Sequence, residues 1–171
     1  MIDQIIDWNV DRHNKDYDPT KEYAMLQEEV TEYAHSYIKT VSDEVGVDIL
    51  TYTTEDEEES KQLNDRIALF VESPEFKPKW EVNQADALAD TIFVAVGSLY
   101  KLTGSRAKVQ KILQAVVTAN NQKGSEKDEN GKIIKPASFV PPEEKIHDIL
   151  YPTVEDSDLV DWKWITEGER P

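Results

Sequence analysis

Two groups of carboxylates have the type and spacing to do chemistry. Glu28, Glu29 and Glu32 lie in "MLQEEVTEYAH", a stretch with helical periodicity. Successive helical side chains turn by about 100°, so the three fall within an arc of about 100° on one flank. That flank adjoins the apolar stripe of Tyr23, Leu26, Val30, Tyr33, Ala34, Tyr37 and Ile38 at Glu29, instead of lying opposite it. Like charges three and four residues apart repel, and a helix chosen only for stability would carry a lysine there. The second group is Asp86 and Asp90, four apart and therefore stacked on one face, with Phe93 and Gly97 continuing the row. Five carboxylates from two facing helices suit a hard divalent ion. Magnesium prefers oxygen ligands and keeps waters, which leaves positions open for phosphate. Histidine is absent from both groups, which favours magnesium or manganese over zinc.

The elements that must position these acids follow from periodicity and breaks. Residues 2–14 read as a short amphipathic helix with Ile2, Ile5, Ile6 and Val10 on one side. "DYDP" interrupts it, and Asp18 or Thr20 can cap a second helix running to about Thr40. The acidic insert, 42–79, is less regular. "GVDILTYTT" is a short strand or an extended loop, and "EDEEESKQLNDRIALFVE" is an acidic helix ended by "SPEFKPKW". The insert reads as an elaboration between two core helices.

Residues 80–102 are the most apolar segment and predict a buried helix, with Val82, Ala85, Leu88, Ala89, Ile92, Val96 and Leu99 filling the sides around the acidic row. Two unpaired carboxylates on such a helix would take up protons or find cations. Gly97 is costly in a helix by about 1 kcal/mol relative to Ala, which suggests a close approach by another backbone or a substrate. "TGS" breaks the chain, and Ser105 can cap a fourth long helix to about Asn120. Beyond it, 122–171 reads as an irregular C-terminal arm of the same single domain, 1–171. Its last twenty residues, with Trp162 and Trp164, are placed to pack on a neighbouring subunit. The fold expected is all-α, with a four-helix-bundle core.

Composition narrows the function classes. At 171 residues the chain suffices for one sizeable core, and 35 acids against 19 bases give a formal net charge of -16. That balance argues against a nucleic-acid surface, which needs clustered Lys and Arg, and permits cation binding or a basic partner. With no cysteine, disulfides, thiolate nucleophiles and cysteine-ligated zinc are excluded. No signal peptide is visible in "MIDQIIDWNVDRHNKD", and no segment approaches the roughly 20 apolar residues that span a bilayer. The expectation is a soluble, cytoplasmic protein without a membrane partner.

"EEVTE" followed by "DALADTIFVAVGSLYKLTG" resembles the all-α nucleoside triphosphate pyrophosphohydrolases. These are the MazG-like proteins, with phosphoribosyl-ATP pyrophosphohydrolase and the dimeric dUTPases as relatives. Their mark is E-E-x-x-E on one helix and E-x-x-D or D-x-x-x-D on the next. Position 87, Glu in E-x-x-D members, is Ala here, so the pair takes the wider form. Further on, "TANNQKGSEKDENGKIIKPASFVPPE" is similar to the A-N-x-x-K…G-K-x-x-K-x-x-x-F-x-P-P segment of MazG-like proteins of bacteria and their phages. The two matches cover most of the span from Glu22 to Glu143.

The resemblance implies Glu29, Glu32, Asp86 and Asp90 as ligands of magnesium, and Glu28 as a further ligand or the base that orients the attacking water. It implies Asn120 and Lys123 beside the substrate phosphates, with Lys135 matching the lysine of the following segment. The implied activity is magnesium-dependent cleavage of a nucleoside triphosphate to monophosphate and pyrophosphate by a homodimer or homotetramer. Two other readings compete: an acidic decoy or inhibitor that occupies a basic protein, and a catalytically inactive member of the fold that senses nucleotides.

Overall fold

The computed structural model describes residues 1–152, so Trp162 and Trp164 lie outside the described residues. The first helix, α1 (Ile2–Asp11), buries Ile5, Ile6 and Asn9. The second, α2 (Pro19–Val45), starts where Asp18 accepts hydrogen bonds from the backbone of Thr20 and Lys21, with Pro19 supplying its fixed φ at the first helical position. It runs past the predicted end at Thr40 because the first residue able to stop it is Gly46. There φ is +75° and the backbone N–H returns to Ser42 O at 2.8 Å.

The insert carries α3 (Glu57–Val71), capped by Asp56. "GVDILTYTT" forms a turn in which Asp48 Oδ1 accepts from the Leu50 backbone, not a strand. The insert also does more than decorate. Phe70 is buried with Val41, Val45 and Phe76, while Leu63, Ile67 and Trp80 pack around them. Phe76 stacks on Trp80 and meets the edges of Tyr37 and Phe70. The apolar face of α3 therefore helps build the core, and its acids occupy the outer side.

The next helix, α4 (Phe76–Thr103), begins earlier than predicted. Pro78 lies in its first turn, where an N–H would have no helical partner, so the ring does not break it. Ser105 caps α5 (Arg106–Asn120), accepting from the Lys108 backbone. A further helix, α6 (Glu143–Leu150), lies in the region expected to be irregular. Its single stripe of Ile146, Ile149 and Leu150 is too short to stand out as a period.

The described residues form two compact units, 1–101 and 102–152. In the second, α5 and α6 pack together, and Lys108 Nζ donates to Leu150 O at 3.1 Å. Among the described residues there are six helices and no strand beyond an isolated bridge between Lys127 and Ile133. The protein is all-α with bundle-type packing. No helix among the described residues is long and apolar enough to cross a membrane.

Candidate functional site

A ladder of side-chain contacts sets the register of α2 against α4. Lys101 Nζ lies 2.5 Å from Glu22 Oε1, and Ser98 Oγ donates to Glu22 Oε2 at 2.5 Å. Further along, Trp80 Nε1 donates to Ser36 Oγ at 3.2 Å and Asn83 Nδ2 to Thr40 Oγ1 at 2.7 Å. Lys79 Nζ meets Glu44 at 2.6 Å. From Glu22–Lys101 at one end to Glu44–Lys79 at the other, the partners on α4 fall as those on α2 rise, so the helices are antiparallel. Glu22, Glu29, Ser36 and Thr40 recur at intervals of seven and four residues and share one strip of α2. On that strip Glu22, Ser36 and Thr40 all bond across to α4. Glu29, midway between Glu22 and Ser36, comes level with the turn of Asp90 to Val94 and meets carboxylates instead.

The electrostatics follow from that placement. Glu29 is half-buried, while Glu28, Glu32, Asp86 and Asp90 are exposed. Its carboxyl is held above the usual range, first by burial and then by the charges of Asp90, Glu32, Glu28 and Asp86. Lys39 is raised by its own hydrogen bond to Asp43, at 2.9 Å, and also feels Glu32 and Asp86. The two acidic groups predicted from spacing therefore act in one field. Among the described residues, no three His, Cys, Asp or Glu side chains stand close enough to hold a metal ion as they lie.

Two expectations change. The helix carrying Asp86 and Asp90 is not buried all round: Val82, Leu88 and Ile92 are 67%, 47% and 48% exposed. Within one chain α4 is covered where it meets α2 and at its far end, where Val96, Gly97 and Lys101 are buried. The aspartates consequently pay no large desolvation penalty, and their influence is the charge they place on Glu29. Gly97 does meet a close approach, but by a side chain, because a Cβ there would lie 3.1 Å from Asn9 Nδ2. Trp8 packs edge-on against Phe93 at 5.1 Å, so α1 covers the row of α4 that continues beyond Asp90. Arg12 lies over the Trp8 ring at 4.3 Å.

The Glu22–Ser98–Lys101 network escaped the sequence reading. Its signal was the seven-residue interval that puts Glu22 on the strip of Glu29 and Ser36. A surface cleft of about 470 Å³, lined by Thr40, Asp43, Lys79 and Asn83 among others, contains none of the five acids.

In the second unit, the predicted phosphate-contact residues are drawn together. Lys123 Nζ donates to Asn120 Oδ1 at 2.6 Å. Lys123 and Lys135 both place their ammonium groups over Phe139, at 5.6 and 4.9 Å from the ring centroid. Fold and site thus define an all-α protein with an acidic strip between antiparallel helices and a lysine-bearing loop in its second unit. Comparison with protein-family models, with curated proteins and with solved structures finds no match to this chain.

Proposed function

We propose that the chain is a magnesium-dependent nucleoside triphosphate pyrophosphohydrolase that releases a nucleoside monophosphate and pyrophosphate. One observation carries the reading. On a strip where Glu22, Ser36 and Thr40 bond across to α4, Glu29 has no such partner among the described residues, and its burial together with four like charges holds its carboxyl above the usual range. The donor set fits a hard divalent cation: five carboxylates, oxygen only, in a mutually repulsive field that positive charge relieves. Four of the five are exposed, so their side chains are free to change rotamer towards a shared ion.

Glu29, Glu32, Asp86 and Asp90 would hold magnesium, with manganese as the alternative. Held there, the ion would supply positive charge for phosphate oxygens and make a nearby water more acidic. Glu28, on the outer edge of the same flank, would be a further ligand or would orient the attacking water and accept its proton. Asn120, Lys123 and Lys135 are assigned to phosphate oxygens, through charge-assisted hydrogen bonds. The exposed apolar residues Tyr23 and Val30 on α2, and Val82, Leu88 and Ile92 on α4, support a homodimer or homotetramer.

The test is a panel of canonical and modified nucleoside triphosphates with magnesium, reading pyrophosphate against orthophosphate. Glu32→Gln and Asp90→Asn are each expected to lower turnover by about 100-fold or more with the helical circular dichroism retained. Wild-type turnover undiminished in both variants would sink the metal-site assignment. Magnesium and nucleotide binding without any turnover would instead identify a nucleotide sensor.

A further inference from the structure

The loop between α5 and α6 contains a feature that the carboxylates do not explain. Charge is unevenly divided along the chain, with 23 acids against nine bases in 1–101 but eight bases against six acids in 102–152. Within the basic part, Lys123 and Lys135 converge on one aromatic ring, Phe139. Neither is paired with a carboxylate among the described residues, although acids are frequent nearby in the chain. Two ammonium groups held over one ring repel each other. The electron-rich ring offsets part of that repulsion, and an anion in reach of both would offset more. Neither Nζ is more than 5.6 Å from the centroid, so both ammonium groups stay close to the one ring.

The ring is itself held by its flanks. Gln122 closes the loop with a two-way amide clasp: Nε2 donates to Val140 O at 3.1 Å, and Oε1 accepts from Val140 N at 2.8 Å. This fixes the residue after Phe139 against the residue before Lys123. Within the clasp, Asp128 Oδ1 accepts from the backbones of Asn130 and Lys132, and Ile134 N donates to Glu126 O, so the chain folds back to bring Lys135 to the ring. Gln122 is exposed, and its bonds give no core packing that would otherwise account for the arrangement.

We propose that Gln122 and Phe139 are positioning residues that gather Lys123 and Lys135 into a two-ammonium seat for the oxygens of a di- or triphosphate chain. The inference deepens the hydrolase reading, which already gives the two lysines to phosphate oxygens, by naming the residues that hold them there, and it rests on the substrate being a phosphate chain. The seat itself needs no divalent ion, which separates its test from that of the carboxylates.

The experiment measures binding of inorganic triphosphate to the full chain in EDTA by calorimetry, alongside KM and kcat for hydrolysis with magnesium. Phe139→Leu and Gln122→Ala are each expected to weaken triphosphate binding about fivefold or more and to raise KM with little change in kcat. Phe139→Tyr, which keeps a ring face, should stay within about twofold of wild type. Asp90→Asn should bind triphosphate in EDTA as wild type does. Wild-type affinity in both Phe139→Leu and Gln122→Ala, or no triphosphate binding by the wild-type chain, overturns the proposal. Binding that depends on Phe139 in a protein that hydrolyses no nucleotide upholds the seat and removes the hydrolase reading.

Discussion

At Glu29 the chain places a carboxylate where four like charges already lie, and both its stability effect and its pH dependence follow. Its folded-state pKa is raised above 4.5, so the native state holds that proton more tightly than the unfolded chain does. Stability from this group is therefore lost as pH rises from about 4.5 through the raised value, and the full penalty stands at neutral pH. Solvent screens much of it, leaving an effect below about 1 kcal/mol. Glu29→Gln is expected to raise the metal-free Tm by about 1–3 °C at pH 7, with the gain vanishing near pH 4 and pyrophosphate release abolished. Magnesium should raise Tm in the wild type and not in Glu29→Gln, as thermal circular dichroism with and without EDTA would record. A variant that lost activity and stability together would argue that Glu29 is an ordinary structural contact.

At the scale of elements, the alignment of α2 with α4 depends on a buried ion pair, Glu22 and Lys101, whose side chains are 7% and 5% exposed. Removing one partner leaves the other charge buried, so Glu22→Gln or Lys101→Met should each cost about 3–5 kcal/mol in urea unfolding. The double variant Glu22→Leu/Lys101→Met should cost less than the two singles added, because neither charge is stranded. The caps at Asp18 and Ser105 were legible in sequence, because an oxygen-bearing residue before a periodic run has one physical use there. The flank shared by Glu28, Glu29 and Glu32 was legible for the same kind of reason, since spacing alone decides it. What spacing cannot reveal is which turn of one helix lies beside which turn of another. That depends on Lys79, Asn83 and Lys101 finding partners on α2, and no local pattern marks those pairs. The solvent exposure of Asp86 and Asp90 was misjudged because the apolar residues of α4 exceed what one chain covers.

For the whole molecule, that excess apolar surface and the charge distribution pull in different directions. A net charge of -16 keeps copies apart, while Leu88, Ile92 and Val82 on α4 favour bringing them together. The surface on α4 is expected to prevail once salt screens the repulsion. Analytical ultracentrifugation should find a dimer or larger assembly whose dissociation constant tightens from about 0.05 to about 0.5 M NaCl. Leu88→Lys combined with Ile92→Lys should yield monomers. A monomeric wild type at every salt concentration would count against the oligomer and leave the apolar row without a partner of its own kind.

The rungs between α2 and α4 also differ in the length of chain they enclose, and this has a kinetic consequence. Lys79 and Glu44 are 35 residues apart, Asn83 and Thr40 43, and Ser98 and Glu22 76. Loop-closure entropy favours zipping from the nearest pair towards the farthest, so the mutually repelling acids must come together before the last rung can lock. Divalent cations should therefore speed the late phase of refolding. In stopped-flow experiments magnesium is expected to accelerate that phase in the wild type, and to leave a chain with Glu29→Gln and Asp90→Asn nearly unaffected.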